Sequence, residues 1–346
     1  MLRILLLLSL LCSSFVYAQK NAEKKYLKTK EARMVYLDSG MVYLGHGNQD
    51  VVALPVVSAK PERFSVGAFY IGAYEVSNLD YLEYLYFLRN TNMVAYTTAL
   101  PDTTVWIKTE WFGNKYLAYY LRHPAYNHYP VVGVTHQQAA RFCDWLTDRY
   151  NENPDRKHKK VRFRLPTKNE WMYAALSGAD YKEPQKGKTT SNIYNAEIFR
   201  FPWSQKTSGG FSHSMFNDKG EPLANFKPID QSSVQYVDGT LIHQNDTITE
   251  GFYISMPDYI NSIPATLEDG SDYSAPVYSF FPGLSGLYNM AGNVEEMVAE
   301  YGITKGGSWN DTGYYLQNTI EETYDATTET SPFRGFRLAM DVIEDF

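Results

Sequence analysis

Three times along this chain a hydroxyl residue is followed, three positions on, by a side chain able to reach back to it. The pairs are Ser77 with Asp80, Thr135 with Gln138 and Thr167 with Glu170. Each reads as a capping box, in which two otherwise orphaned backbone N–H groups of a first helical turn are satisfied reciprocally. Apolar residues follow each pair at helical spacing: Leu82, Leu85, Tyr86 and Leu88 after the first. Residues 137–150 carry Ala139, Phe142, Cys143, Trp145 and Leu146 after the second. Trp171, Ala174, Ala175 and Leu176 follow the third, with Gly178 as the stop. Around these helices lie short β-like runs: MVYL (34–37) and MVYLG (41–45) about a turn at Asp38-Ser39-Gly40, then FSVGAFYIGAY (64–74). Residues 180–200 and most of 231–274 are loop-like. Capped helices among short strands and long loops predict an irregular α+β fold, with no repeat, heptad or linker-like break in composition.

So much loop must be held by a substantial core. The 346 residues include 29 Tyr, 18 Phe and 6 Trp, enough to fill one, and a mostly disordered chain is excluded. A net charge of −7 argues against a nucleic-acid binder, whose affinity rests on clustered cations. The one basic run, RKHKK (156–160), follows Asn153-Pro154 and reads as a solvated loop.

Residues 1–18 read as a secretory signal: Arg3, an apolar stretch from Ile4 to Leu11, then Val16-Tyr17-Ala18 before Gln19. Cys12 offers an alternative, as a lipoprotein cysteine acylated after cleavage just before it; Leu11 stands where a small residue is usual, which favours Ala18. Residues 19–33 read as a flexible leader and 34–346 as one domain, with insertions near 93–128 and 231–274. The expected location is the periplasm, associated with the outer membrane and without a transmembrane span. Cleavage after Ala18 leaves only Cys143, so no intramolecular disulfide can form, and Cys143 reads as a small buried hydrophobe.

Familiar catalytic motifs are missing. The chain has no G-x-G-x-x-G, no G-x-x-x-x-G-K-[ST], no H-E-x-x-H and no paired C-x-x-C. His123 and His128 flank a short loop and read as structural.

Six segments in order carry a resemblance: MVYLDSGMVYLG (34–45), YIGAYEVSNLDYLEYL (70–85), YPVVGVTHQQAARFCDWL (129–146), FRLPTKNEWMYAAL (163–176), GLYNMAGNVEEM (286–297), and KGGSWND (305–311) with GFRLAM (335–340). Together they resemble the formylglycine-generating enzyme (sulfatase-modifying factor) domain family across nearly the whole chain. The resemblance implies a C-type-lectin-like architecture with little regular secondary structure. PDTTVWIKTEW (101–111) and YLRHPAYNHYPVVGV (120–134) are similar to gliding-motility and type IX secretion lipoproteins of the GldJ and GldK type. That likeness implies protein partners in an envelope complex.

Enzymes of this family bind copper through two thiolates near the C-terminus. The matching positions after Gly306-Gly307-Ser308 hold Asp311 and Leu316. Asp offers hard oxygen and Leu no donor, whereas copper(I) favours sulfur. The expectation is therefore a protein without copper and without formylglycine synthesis.

Calcium needs oxygen ligands, and the resemblance implies two structural sites. One would use Asn289, the Gly292 and Val294 carbonyls, and Glu296; the other would use Asn225, Phe226, Asp269 and Ser271. Where the family usually has Trp on both sides of the Glu, this chain has Glu295 and Met297.

The first functional reading is a non-catalytic assembly component of a gliding-motility or type IX secretion apparatus. The Tyr-rich insert with Trp106 and Trp111 is its candidate contact surface, or else core. The alternatives are a calcium-dependent glycan- or peptide-binding module, or an enzyme of altered chemistry with Asp311 or a nearby His as base.

Overall fold

The computed structural model describes residues 33–45, 62–108, 113–177, 192–195, 199–207, 210–212, 215, 217, 219, 221–226, 234–237, 240–243 and 273–346. All three capping boxes form. Asp80 N donates to Ser77 Oγ at 3.3 Å, while Ser77 N donates to Asp80 Oδ2 at 3.0 Å, at the start of α1 (Asn78–Thr91). A helix α2 (Met93–Ala99), a 3₁₀ turn (Thr103–Lys108) and α3 (Gly113–Tyr119) follow, within the expected insertion near 93–128. Thr135 with Gln138 opens α4 (His136–Glu152), and Thr167 with Glu170 opens α5 (Lys168–Leu176). Ser177 caps α5; Gly178 lies outside the described residues.

The strands are β1 (Met34–Leu37), β2 (Gly40–Gly45), β3 (Glu62–Val66), β4 (Phe69–Glu75), β5 (Lys160–Arg164), β6 (Asn192–Asn195), β7 (Gln205–Thr207) and β8 (Gly210–Ser212). They continue with β9 (Val234–Val237), β10 (Thr240–His243), β11 (Glu295–Met297), β12 (Ile303–Lys305), β13 (Glu321–Thr323) and β14 (Arg334–Glu344). The main sheet runs β1-β4-β14-β11-β12-β13, with β5 also paired to β14. Short strands, few helices and intervening irregular segments make this an α+β fold.

Two local expectations are corrected. The runs at 34–37 and 41–45 do not form a hairpin: β1 pairs with β4, whereas β2 pairs with β3 and β6 in another sheet. The stretch 64–74 is not one strand, because the chain leaves the ladder at Gly67-Ala68 and its halves enter different sheets. The run 156–160 is a largely exposed loop as expected, save at its middle and its end. His158 is buried, its ring nitrogen 3.0 Å from Asp345 and its N–H on the Tyr150 hydroxyl, and Lys160 begins β5.

The inner face of α4 puts Ala139, Phe142, Cys143 and Leu146 against Tyr81, Tyr84, Phe163 and Phe336. Cys143 is buried there, and desolvation, with Asp144 nearby, pushes its thiol well above the usual range. It is a packing residue. Trp171 and the rest of α5 fill a second cluster with Ile71, Leu287 and Met290. The short parallel pairing of β11 with β14 lies in the main sheet, and the site is built around it.

Candidate functional site

Strand periodicity sends alternate residues of β11 to opposite faces. Glu295 and Glu296 therefore look opposite ways, and each meets an arginine of β14. On one face Arg334 Nη2 lies 2.8 Å from Glu295 Oε1, and Thr304 donates to Oε2 at 2.5 Å. On the other, Arg337 binds both Glu296 oxygens, Nη2 to Oε1 at 2.5 Å and Nε to Oε2 at 2.6 Å. The Trp171 indole N–H adds a third bond to Oε2 at 2.7 Å.

The loop after β12 carries the positions of the expected thiolates. Gly307 has φ +63°, and a Cβ there would come within 2.9 Å of Leu316 Cδ1 and 3.0 Å of the Tyr315 backbone, so only glycine fits. Asp311 turns back on this loop: its Oδ2 accepts from Ser308 N at 2.8 Å and from the Ser308 hydroxyl. Leu316 is fully buried among Phe201, Met215, Ala224, Phe226 and Ala291. One position has become a turn lock and the other core. Cys143 packs in a different apolar cluster from Leu316.

Near Asp311 the Glu295 face carries surplus acid. Glu322 is pushed up to about 8, first by burial and then by Asp311 and Glu295, with Arg334 opposing. Burial also raises Glu295, against the pull of Arg334 and the Thr304 hydrogen bond. Arg334 also donates to the Thr328 and Glu329 carbonyls and sits 4.3 Å from the Tyr324 ring centre. Among the described residues no set of three or more His, Cys, Asp and Glu is arranged to hold a metal ion.

A family model for the sulfatase-modifying factor enzyme 1-like domain matches residues 19–342. The chain belongs to this family. The formylglycine-generating enzyme of Mus musculus is 23% identical over 324 residues; the match covers 86% of this chain and only 63% of the mouse protein. Among solved structures, PvdO from Pseudomonas aeruginosa is similar at a TM-score of 0.47 and 16% identity, covering 89% of this chain and 94% of that one. Treponema denticola variable protein 1 gives the same TM-score and identity over 88% and 94%.

Within this sulfatase-modifying-factor fold the expected calcium residues partly converge. Asn225 meets the 289–296 segment directly: its carbonyl accepts from Asn293 N at 2.8 Å, and a Cβ on Gly292 (φ +76°) would lie 2.2 Å from that oxygen. Phe226 is buried in the Leu316 cluster. Asp269 and Ser271 lie outside the described residues. The Asn289 amide nitrogen donates to Glu75 Oε2 at 3.1 Å and to the Val277 carbonyl at 3.2 Å. Val294 and Glu296 are buried, and the Glu296 charge is already matched by a bidentate guanidinium. The arrangement around Glu296 does not fit a calcium ligand set.

Three residues escaped the sequence reading. Glu75, buried, accepts from Asn293 Nδ2 at 2.9 Å as well as from Asn289. Burial pushes it up to about 8; Arg337 opposes this and Glu296 adds to it. Lys305 is buried with no hydrogen-bond partner on its Nζ, 4.0 Å from Glu321 Oε1 and 5.8 Å from the Trp171 ring centre. Burial pushes it down to about 7, Glu321 opposing and Lys168 adding. Arg337, within the GFRLAM segment, carried a signal only as part of that motif.

In the aromatic insert Trp106 and Tyr120 are buried, whereas Tyr116, Tyr126 and Tyr129 are half-buried against them. Trp106 packs with Tyr116, Tyr120 and Tyr273, and Tyr126 and Tyr129 join the same cluster, which also includes Trp309. Tyr119 is 54% exposed, and Trp111 lies outside the described residues. His123 caps the 124–126 turn through Nδ1, whereas His128 is exposed beside Tyr278. No described helix is long and apolar enough to cross a membrane.

Proposed function

We propose that this chain is a non-catalytic member of the sulfatase-modifying factor family and serves as a structural component of an envelope assembly of the gliding-motility or type IX secretion kind. One observation carries the first half: of the two positions where copper thiolates are expected, Asp311 is spent on Ser308 and Leu316 is sealed in apolar packing. Copper(I) chemistry has no soft donor there. The second half is supported by the export-type leader and by the likeness of residues 101–111 and 120–134 to motility lipoproteins. In this reading the protein resides in the periplasm at the outer membrane.

The test has two arms. Purified chain, loaded with copper and given a sulfatase-derived cysteine peptide, should form no aldehyde detectable by hydrazide capture. Crosslinking in cells, followed by affinity isolation, should recover a large envelope complex. Aldehyde formation would overturn the first half, and a free monomer in the envelope fraction the second.

A further inference from the structure

We propose that the Arg337 guanidinium, and not a calcium ion, neutralises Glu296, so that the joint around Glu296 is organised by an internal organic cation and needs no divalent metal. Arg337 is fully buried, and oxygens surround it as they would surround a metal. Glu296 supplies both carboxylate oxygens at 2.5 and 2.6 Å. The Gly72, Tyr288 and Asn289 carbonyls accept from it at 3.1, 2.9 and 3.2 Å. These contacts tie β4, the 288–289 turn, β11 and β14 together, the same joining of distant segments for which small domains use ions.

A second cation is disfavoured by the same geometry. A buried carboxylate needs one matching charge, and bidentate arginine provides it with two strong hydrogen bonds. The Asn289 and Tyr288 carbonyls already accept from Arg337, and Trp171 holds Glu296 Oε2 from the other side. A calcium ion entering here would sit against a guanidinium in a buried space that screens the repulsion weakly.

The test uses the mature full-length chain. Calcium content after dialysis against millimolar calcium is measured for wild type and Glu296→Gln. The expected result is equal content in the two. Loss of one equivalent in folded Glu296→Gln would overturn the proposal. Terbium provides a readout that does not depend on that variant folding. An ion at Glu296 would lie against the Trp171 indole, so tryptophan-sensitised terbium emission should fall sharply in Trp171→Phe if the site binds metal. Unchanged emission is expected, and a Trp171-dependent signal would overturn the proposal. Finally, Arg337→Met should lower the unfolding temperature by about 10 °C, equally in calcium and in chelator.

Discussion

Glu295 and Glu296 are neighbours in sequence with the same chemistry, yet they sit in opposite electrostatic situations. Glu296 faces the packed interior, where Arg337 and Trp171 saturate it. Glu295 faces the loop of the vanished thiolates, where Arg334 must answer for Glu295, Glu322 and Asp311 together. The interior pair ties distant segments together, with Glu75 beside it pushed up to about 8 by burial. The other face sets Glu295, Glu322 and Asp311 against one guanidinium, an excess of acid that is stable only because a proton can be taken up. One side of β11 is thus a sealed joint and the other a cluster of acids around a single guanidinium.

The largest expected effect tests the sealed side. Arg337→Met leaves Glu296 buried without a counter-charge and should cost about 3–5 kcal/mol in urea unfolding. Arg334→Met should cost less at pH 6 than at pH 9, since Glu322 can hold a proton at the lower pH; equal losses at both would erase the contrast between the faces.

Leu316→Ala comes next. Truncating a fully buried leucine should cost about 2–5 kcal/mol, measured by the same unfolding curves. A loss under 1 kcal/mol would mean that the second thiolate position is not the core residue described above.

Two titrations should sharpen the picture, each of roughly 1–3 kcal/mol. Glu322 has its folded value raised to about 8, so the stability it contributes is full below its unfolded value and is lost as pH rises towards 8. Glu322→Gln should flatten that part of the stability profile. Lys305 is lowered to about 7, so its buried charge penalises the folded state below pH 7 and the penalty fades as pH rises towards the unfolded lysine value. Lys305→Met should stabilise the protein at pH 6 and gain progressively less at pH 9. A wild-type profile unaltered by either change would remove these groups from the account.

The smallest effect belongs to the turn lock. Asp311→Ala deletes the acceptor for Ser308 and should cost about 1 kcal/mol.

Helix starts were legible because a capping box is local: Ser77, Thr135 and Thr167 reach only three residues along. The ordered family segments were legible for the same reason, each being a contiguous string. Strand pairing was not. The runs at 34–37 and 41–45 alternate alike, and nothing within either says that one pairs with β4 and the other with β3 and β6. The candidate calcium set was implied by the family resemblance, which put Asn225 and Glu296 in separate sites; that Asn225 meets Asn293, and what competes for Glu296, only the fold shows. That competitor, Arg337, is 41 residues away. Lys305 and Glu75 gave no sign either, since a burial shift exists only once neighbouring elements exclude water.

The sequence by itself determined the family, the helix caps, the aromatic supply for the core and the loss of both sulfur donors, since each depends on residue identity or on neighbours a few positions apart. Tertiary structure alone decided that Trp106 and Tyr120 of the aromatic insert are buried, that Leu316 is packing and Asp311 a turn lock, and that Glu296 is matched by arginine. Those outcomes depend on which distant oxygens, cations and rings come to share one desolvated space, and charge in such a space is governed by its partners.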